Sequence, residues 1–168
     1  MNAQRKTTIA KTAAMAVSLT LLATGIFATA AAEQTDAVNI GEKLPAKLRT
    51  LLIEEMQAID KASQEIHAAI VQGQHEIVAQ KAQAIHDSFI MEQQMTEEDE
   101  KTLLAVVPNS FLVSDEELHA LSAKLAEAAR NQDTAAQLQK FSEMTRGCVD
   151  CHRVYASSRF PGLLKKSP

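Results

Sequence analysis

The chain has no tryptophan, one tyrosine and five phenylalanines in 168 residues. Such a chain has few large side chains with which to fill an interior. A large buried cofactor would therefore be a useful part of its core. Strand-like alternation of apolar and polar residues is missing, as are a glycine-rich phosphate loop and any internal repeat. Sheet-built nucleotide-binding folds and solenoids are thereby disfavoured. No serine–histidine–aspartate set and no close carboxylate pair points to hydrolysis, and no enzymatic activity is expected.

Charge is nearly absent at the start. Arg5, Lys6 and Lys11 form a positive segment, Thr12 to Ala32 is uncharged, and Ala30-Ala31-Ala32 supplies small residues before Glu33. This pattern predicts a secretory signal peptide over 1–32, cleaved after Ala32. The competing reading is an uncleaved anchor, because 21 uncharged residues approach a membrane span. No cysteine follows the boundary, which argues against a lipoprotein. Cleavage leaves 136 residues, enough for one domain with one core. It also leaves 14 basic against 21 acidic residues, a formal charge of −7. That balance argues against nucleic acid and anionic membrane surfaces and would tolerate a basic docking partner.

Cysteine is scarce too. Both cysteines fall in Cys148-Val149-Asp150-Cys151-His152. This is the C-x-x-C-H pattern of c-type haem attachment. The two thiols become thioethers on the two vinyl groups of one haem, and His152 becomes the proximal axial ligand of its iron. Three other readings compete. A redox dithiol usually sits at a helix N-terminus beside a βαβ unit, and no strand pattern is present. A zinc site needs partners that the sequence lacks. A structural disulfide leaves His152 without a role. Haem attachment agrees with export, since bacterial apoproteins of this kind are matured outside the cytoplasmic membrane. The expected location is the periplasm of a Gram-negative bacterium, with no stable membrane insertion after cleavage.

Hydrophobic spacing predicts helices throughout. A loose leader is expected over 33–43. Pro45 can then open a long helix with Leu48, Leu52, Met56, Ile59, Ser63, Ile66 and Ile70 on its inward face, ended by Gly73. A second helix, faced by Val78, Ala82, Ile85 and Phe89, should run from about His75 to about Met95. Thr96-Glu97-Glu98-Asp99 reads as an N-cap with charges favourable to the helix dipole. The short helix behind it ends at Pro108-Asn109. Ser114-Asp115-Glu116-Glu117 reads as a capping box, stapled by Val113, opening a third main helix with Leu118, Leu121, Leu125 and Ala128 inward. The fourth begins near Asp133, with Leu138, Phe141, Thr145, Cys148, His152 and Tyr155 on its inward stripe and Cys151 flanking it. Residues 164–168 form a tail. Two short loops and one long connection predict an all-α, antiparallel four-helix bundle over 44–163.

An exported four-helix chain with C-x-x-C-H on its last helix resembles the class II c-type cytochromes, the cytochrome c′ and cytochrome c-556 group. The resemblance covers Leu44 to Leu163 and is most specific from Cys148 to Tyr155, a C-x-x-C-H-x-x-Y segment. It implies one covalent haem c in the bundle core, redox partner proteins, and often a homodimer formed through the first two helices. The family often carries an arginine after that tyrosine. Here the position is Ala156, and Arg153 or Arg159 is the candidate for a nearby cation.

The two subtypes differ on the far side of the ring. Cytochrome c′ proteins leave the iron five-coordinate behind an apolar side chain, whereas c-556 relatives place a methionine there. Met56 is the methionine of the first helix, between Leu52 and Ile59 on its apolar stripe. It is the expected distal ligand, and a core-filling role is the alternative. A rotated helix would present Leu52 or Ile53 instead. The expected function is then electron transfer, with binding of a small gas such as nitric oxide as the rival. Met144 is expected to pack near the ring, and Met91 and Met95 to be remote. His67, His75, His86 and His119 read as solvated, with His86 the best second-histidine candidate. Glu97, Glu98, Asp99 and Glu100 read as a solvated helix start, and Tyr155 as proximal packing.

Overall fold

The computed structural model describes residues 38–88 and 90–164. The expected signal peptide, the first half of the leader, Phe89 and residues 165–168 lie outside these. The described residues contain no strand. Their helices are α1 (Ile40–Lys43), α2 (Ala46–Val71), α3 (His75–His86), α4 (Met91–Gln94), α5 (Glu97–Val106), α6 (Asn109–Arg130) and α7 (Thr134–Tyr155), with a final 3-10 turn at Pro161–Leu164. α2, α3, α6 and α7 make the antiparallel four-helix bundle that the spacing predicts.

The two hairpins turn on single residues with left-handed backbone. Gly73, at φ 68°, ends α2, as a glycine at that point should. Gln132, at φ 57°, joins α6 to α7. Asp133 then caps α7 by accepting from Ala136 N at 2.9 Å. α5 begins on a complete capping box, in which Thr96 and Asp99 each bond the other's backbone N–H. Among the described residues no helix is long and apolar enough to cross a membrane.

Three boundaries differ from the sequence reading. α3 stops at His86 instead of reaching Met95, because Ser88 turns the chain at φ 59°. The break is held from a distance: Glu55 of α2, 3% exposed, accepts from Ile90 N at 2.6 Å and Met91 N at 3.0 Å. α6 begins at Asn109, not at Ser114, and the supposed capping serine is an interior residue donating to Ser110 O at 3.0 Å. Packing of Phe111 and Leu112 beneath α7 stabilises the extra turn. Finally, the leader is ordered from Val38. Ile40 and Leu44 are buried, Val38 N donates to Val154 O at 2.7 Å, and Asn39 Oδ1 accepts from Ser158 N at 2.8 Å. This strap satisfies a carbonyl at the C-terminal end of α7, where helix carbonyls lack intrahelical partners.

The bundle is unevenly packed. α2 packs on α3, α3 on α6 and α6 on α7, whereas α2 and α7 barely touch. The core is also divided. A lower cluster joins Ile59, Ile66, Val78, Ile85, Leu125 and Met144. An upper one joins Ile40, Leu44, Leu48, Leu51, Leu103 and Tyr155. On α7 the break between them falls at Cys148, between Met144 of the lower cluster and Cys151 beside the upper one.

Candidate cofactor site

α7 carries Cys148, Cys151 and His152 in its last two turns. The buried residues of this helix are Gln137, Met144 and Tyr155. The inward stripe is therefore rotated from the expected one, and Leu138 is 55% exposed. Polar Gln137 hid this register from the apolar pattern. Cys148, Cys151 and His152 are all half-buried; Cys148 lies on the side of Asp60 of α2, and Cys151 packs against the upper cluster.

α2 is rotated as well. Leu48, Leu51, Glu55, Ile59, Ala62 and Ile66 form its buried face, which leaves Leu52, Met56 and Ser63 half-buried along an edge. That edge meets α7 in a definite register. His67 faces Phe141, with ring centroids 6.3 Å apart. Asp60 lies close enough to Cys148 for its charge to raise the thiol's pKa. Seven residues separate His67 from Asp60, and seven separate Phe141 from Cys148. The same antiparallel step carried four residues further puts Met56 level with His152. Met56 already packs against the lower cluster. Of the other two distal candidates, Leu52 packs against the upper cluster and Ile53 is 38% exposed.

The electrostatics distinguish the thiols from a redox pair. Burial pushes Cys151 up to about 11, with the Asp115 charge adding to it, and burial also raises Cys148. Reactive dithiols have depressed values at helix N-termini, whereas these stand at the C-terminal end, where the dipole disfavours a thiolate. Both cysteines are free. Among the described residues no group of three or more His, Cys, Asp or Glu is arranged to hold a metal ion. His152 has a lowered pKa, from burial first and the Arg159 charge second. It is therefore neutral at pH 7, the form that binds metals. Its ring stacks on Phe160 at 4.5 Å and 14°. Arg153 instead pairs with Asp150 at 3.0 Å on the outer face, so Arg159 is the cation near the imidazole.

These residues fit a haem. A cleft of about 270 Å³ opens beside Cys151 between α7 and the first half of α6, lined in part by Leu118, Leu121, Gly147 and Val154. A Cβ placed on Gly147 would meet nothing within 4 Å. No protein contact thus requires a glycine there, although it costs the helix about 1 kcal/mol relative to alanine. The cleft alone is below the ~300–1,000 Å³ of typical ligand pockets. Cys151 lines this cleft, and Cys148, one turn earlier on α7, lies on the side of the loosely packed α2–α7 seam.

The remaining candidates have other partners. Met144 is 1% exposed, with its sulfur 3.3 Å from the Ser122 hydroxyl. Met91 and Met95, expected to be remote, pack on the same upper cluster as Cys151 and Tyr155, because Glu55 pulls their segment across α2. His75 accepts from buried Gln137 Nε2 at 2.9 Å. His86 and His119 each bond the other's backbone carbonyl through Nδ1, at 3.1 and 3.0 Å, which ties α3 to α6. These three hold bonds within the bundle; His75 and His119 are half-buried, and His86 is exposed as expected. Tyr155 is buried edge-on against Phe111 at 5.3 Å.

A family model, Cytochrome C′, matches residues 47–156, a span that includes α2 through α7 almost entirely and ends just after Tyr155. Neither a curated protein nor a solved structure matches the chain.

Proposed function

Because this chain belongs to the cytochrome c′ family, we propose that it is a periplasmic electron carrier with one haem c attached through Cys148 and Cys151. In this reading His152 is the proximal ligand and Met56 the distal one. What supports it is the antiparallel register of α2 against α7 given by the His67–Phe141 ring contact and the Asp60 charge on Cys148, whose continuation by one turn leads to Met56 and His152. Cys148 and Cys151 would hold the haem as thioethers, and both thiols are protonated and half-buried in its absence. Neutral His152 would supply a nitrogen ligand to the iron, and the soft Met56 thioether would supply a sulfur ligand. The bound haem supplies a one-electron ferrous–ferric change. Both ligands stand on long helices held by the two core clusters, so little needs to move when the charge changes. No substrate is transformed.

One specific observation favours the rival reading, a five-coordinate site that binds a small gas such as nitric oxide. Met56 packs against Ile59 and its neighbours in the lower cluster, so its thioether has apolar partners without iron. Absorption spectra of the matured protein and of Met56→Ala decide between them. The expected result is a low-spin spectrum with a methionine–iron charge-transfer band that Met56→Ala loses. A high-spin wild-type spectrum selects the gas-binding reading. Absence of covalent haem after expression with the maturation machinery overturns both.

A further inference from the structure

Histidines that ligate metals almost always donate their second ring N–H to a carboxylate, a carbonyl or water, which fixes the plane of the ring. Among the described residues no protein group accepts from His152. The family's frequent arginine after the tyrosine is also replaced, by Ala156 at the C-cap of α7. What faces the imidazole is the Phe160 ring, near-parallel to it at 4.5 Å.

Phe160 is not a loose neighbour. Its N–H donates to Ala156 O at 3.1 Å, and its carbonyl accepts from Leu163 N at 3.0 Å, in the turn that follows α7. The start of that turn is tied to the N-terminal strap, where Asn39 Oδ1 accepts from Ser157 Oγ at 3.2 Å and from Ser158 N at 2.8 Å. On the phenyl ring sits the Arg159 guanidinium, 5.9 Å from the centroid. Strap, turn, phenyl ring and imidazole thus form one connected chain of contacts ending on the His152 side chain.

We infer that Phe160 is a positioning residue for His152, its stacked ring fixing the plane in which the imidazole presents its nitrogen to the iron. A flat ring pressed on one face leaves the imidazole one orientation about its Cβ–Cγ bond, the degree of freedom that a hydrogen-bond acceptor usually removes. This inference rests on the haem reading above, in which His152 is the proximal ligand.

The test uses matured holoprotein of the wild type, Phe160→Leu and Phe160→Tyr. Leucine keeps apolar cover but cannot stack, and tyrosine keeps the stack. The readouts are the low-temperature electron paramagnetic resonance g-values of the ferric protein and the paramagnetically shifted haem methyl signals. Both report the imidazole plane, which mere loss of stability would not move. The expected result is shifted or broadened g-features and a changed methyl pattern in Phe160→Leu, with wild-type behaviour restored in Phe160→Tyr. Unchanged g-values and methyl shifts in Phe160→Leu overturn the inference while leaving the haem reading intact. So does an equal perturbation in both variants, because tyrosine keeps the stack and a stacking role predicts no change there. A wild-type protein without covalent haem overturns the haem reading first and this one with it, and the wild-type spectrum alone identifies that case.

Discussion

The α3–α6 side of the bundle and the α2–α7 seam differ in both packing and composition. On the first, small and branched side chains (Val78, Ala79, Ala82, Ile85, Leu125, Ala126, Ala129) close to within 5% exposure, and His86 and His119 add reciprocal backbone bonds. On the second, the two helices barely meet, and the residues along it (Met56, Cys148, His152) are all half-buried. A four-helix bundle with three tight sides and one slack one is unfinished as a packed protein. The slack side carries Cys148, His152 and Met56, and Cys151 stands beside it at the α6–α7 cleft. Burial is therefore concentrated in one wall, and the proposed haem chemistry is left to the seam.

The strongest way to break this comparison is to damage both sides equally. Ile85→Ala removes a side chain with no exposure from the α3–α6 wall, and is expected to cost about 2–5 kcal/mol by lost burial and a residual cavity. Met56→Ala, on the half-buried edge, is expected to cost clearly less in the haem-free chain while abolishing the charge-transfer band of the matured protein. Urea unfolding of the two haem-free variants measures the first contrast. Equal losses would mean that the seam is packed as tightly as the wall.

A second variant sharpens the link between seam and crossing segment. Glu55→Ala removes the acceptor of Ile90 N and Met91 N, and leaving such buried donors without a partner costs about 1–3 kcal/mol. The expected consequence is local as well. Amide exchange at Ile90 and Met91 should accelerate well beyond that at Leu125 of the wall. Exchange that rises uniformly would show that the segment unfolds only with the whole domain.

How far the sequence could be read follows the same division. The bundle, its hairpins and the Thr96 cap were legible because they rest on local signals: apolar steps of three and four, Gly73, Asp133. The motif was legible for a chemical reason, since two cysteines and a histidine at fixed spacing on a helix have few uses. The end of α3 was not, because neither glycine nor proline marks Ser88 and the force comes from a glutamate more than thirty residues earlier in the chain. The start of α6 was misplaced because Ser114 to Glu117 has the composition of a capping box while Phe111 and Leu112 extend the helix by burial. The rotation of α7 was masked by Gln137, a polar residue fully buried because His75 and the Ala128 carbonyl take its amide. The stacking partner of His152 lay eight residues beyond it, past the helix end, where no periodicity connects them.

The smallest expected effect belongs to the rim of the crossing segment. Asp99 completes the α5 capping box and also accepts from Lys47 at the start of α2. The Lys47 ammonium first, and the Thr96 backbone N–H second, hold its carboxyl down at about 2, from an ordinary value of 3.8. A carboxyl depressed in the folded state binds protons more readily once unfolded. Its contribution is thus present above pH 3.8 and fades as the pH falls toward about 2. Because the pair is solvent-exposed, salt should weaken it further. Melting temperatures of wild type and Asp99→Asn are expected to differ slightly near neutral pH and to converge between pH 4 and 2. The difference at neutral pH should shrink when salt is added. A gap that persists at pH 2 would place the stabilisation in the cap's neutral hydrogen bonds, not in the charge that joins the crossing segment to α2.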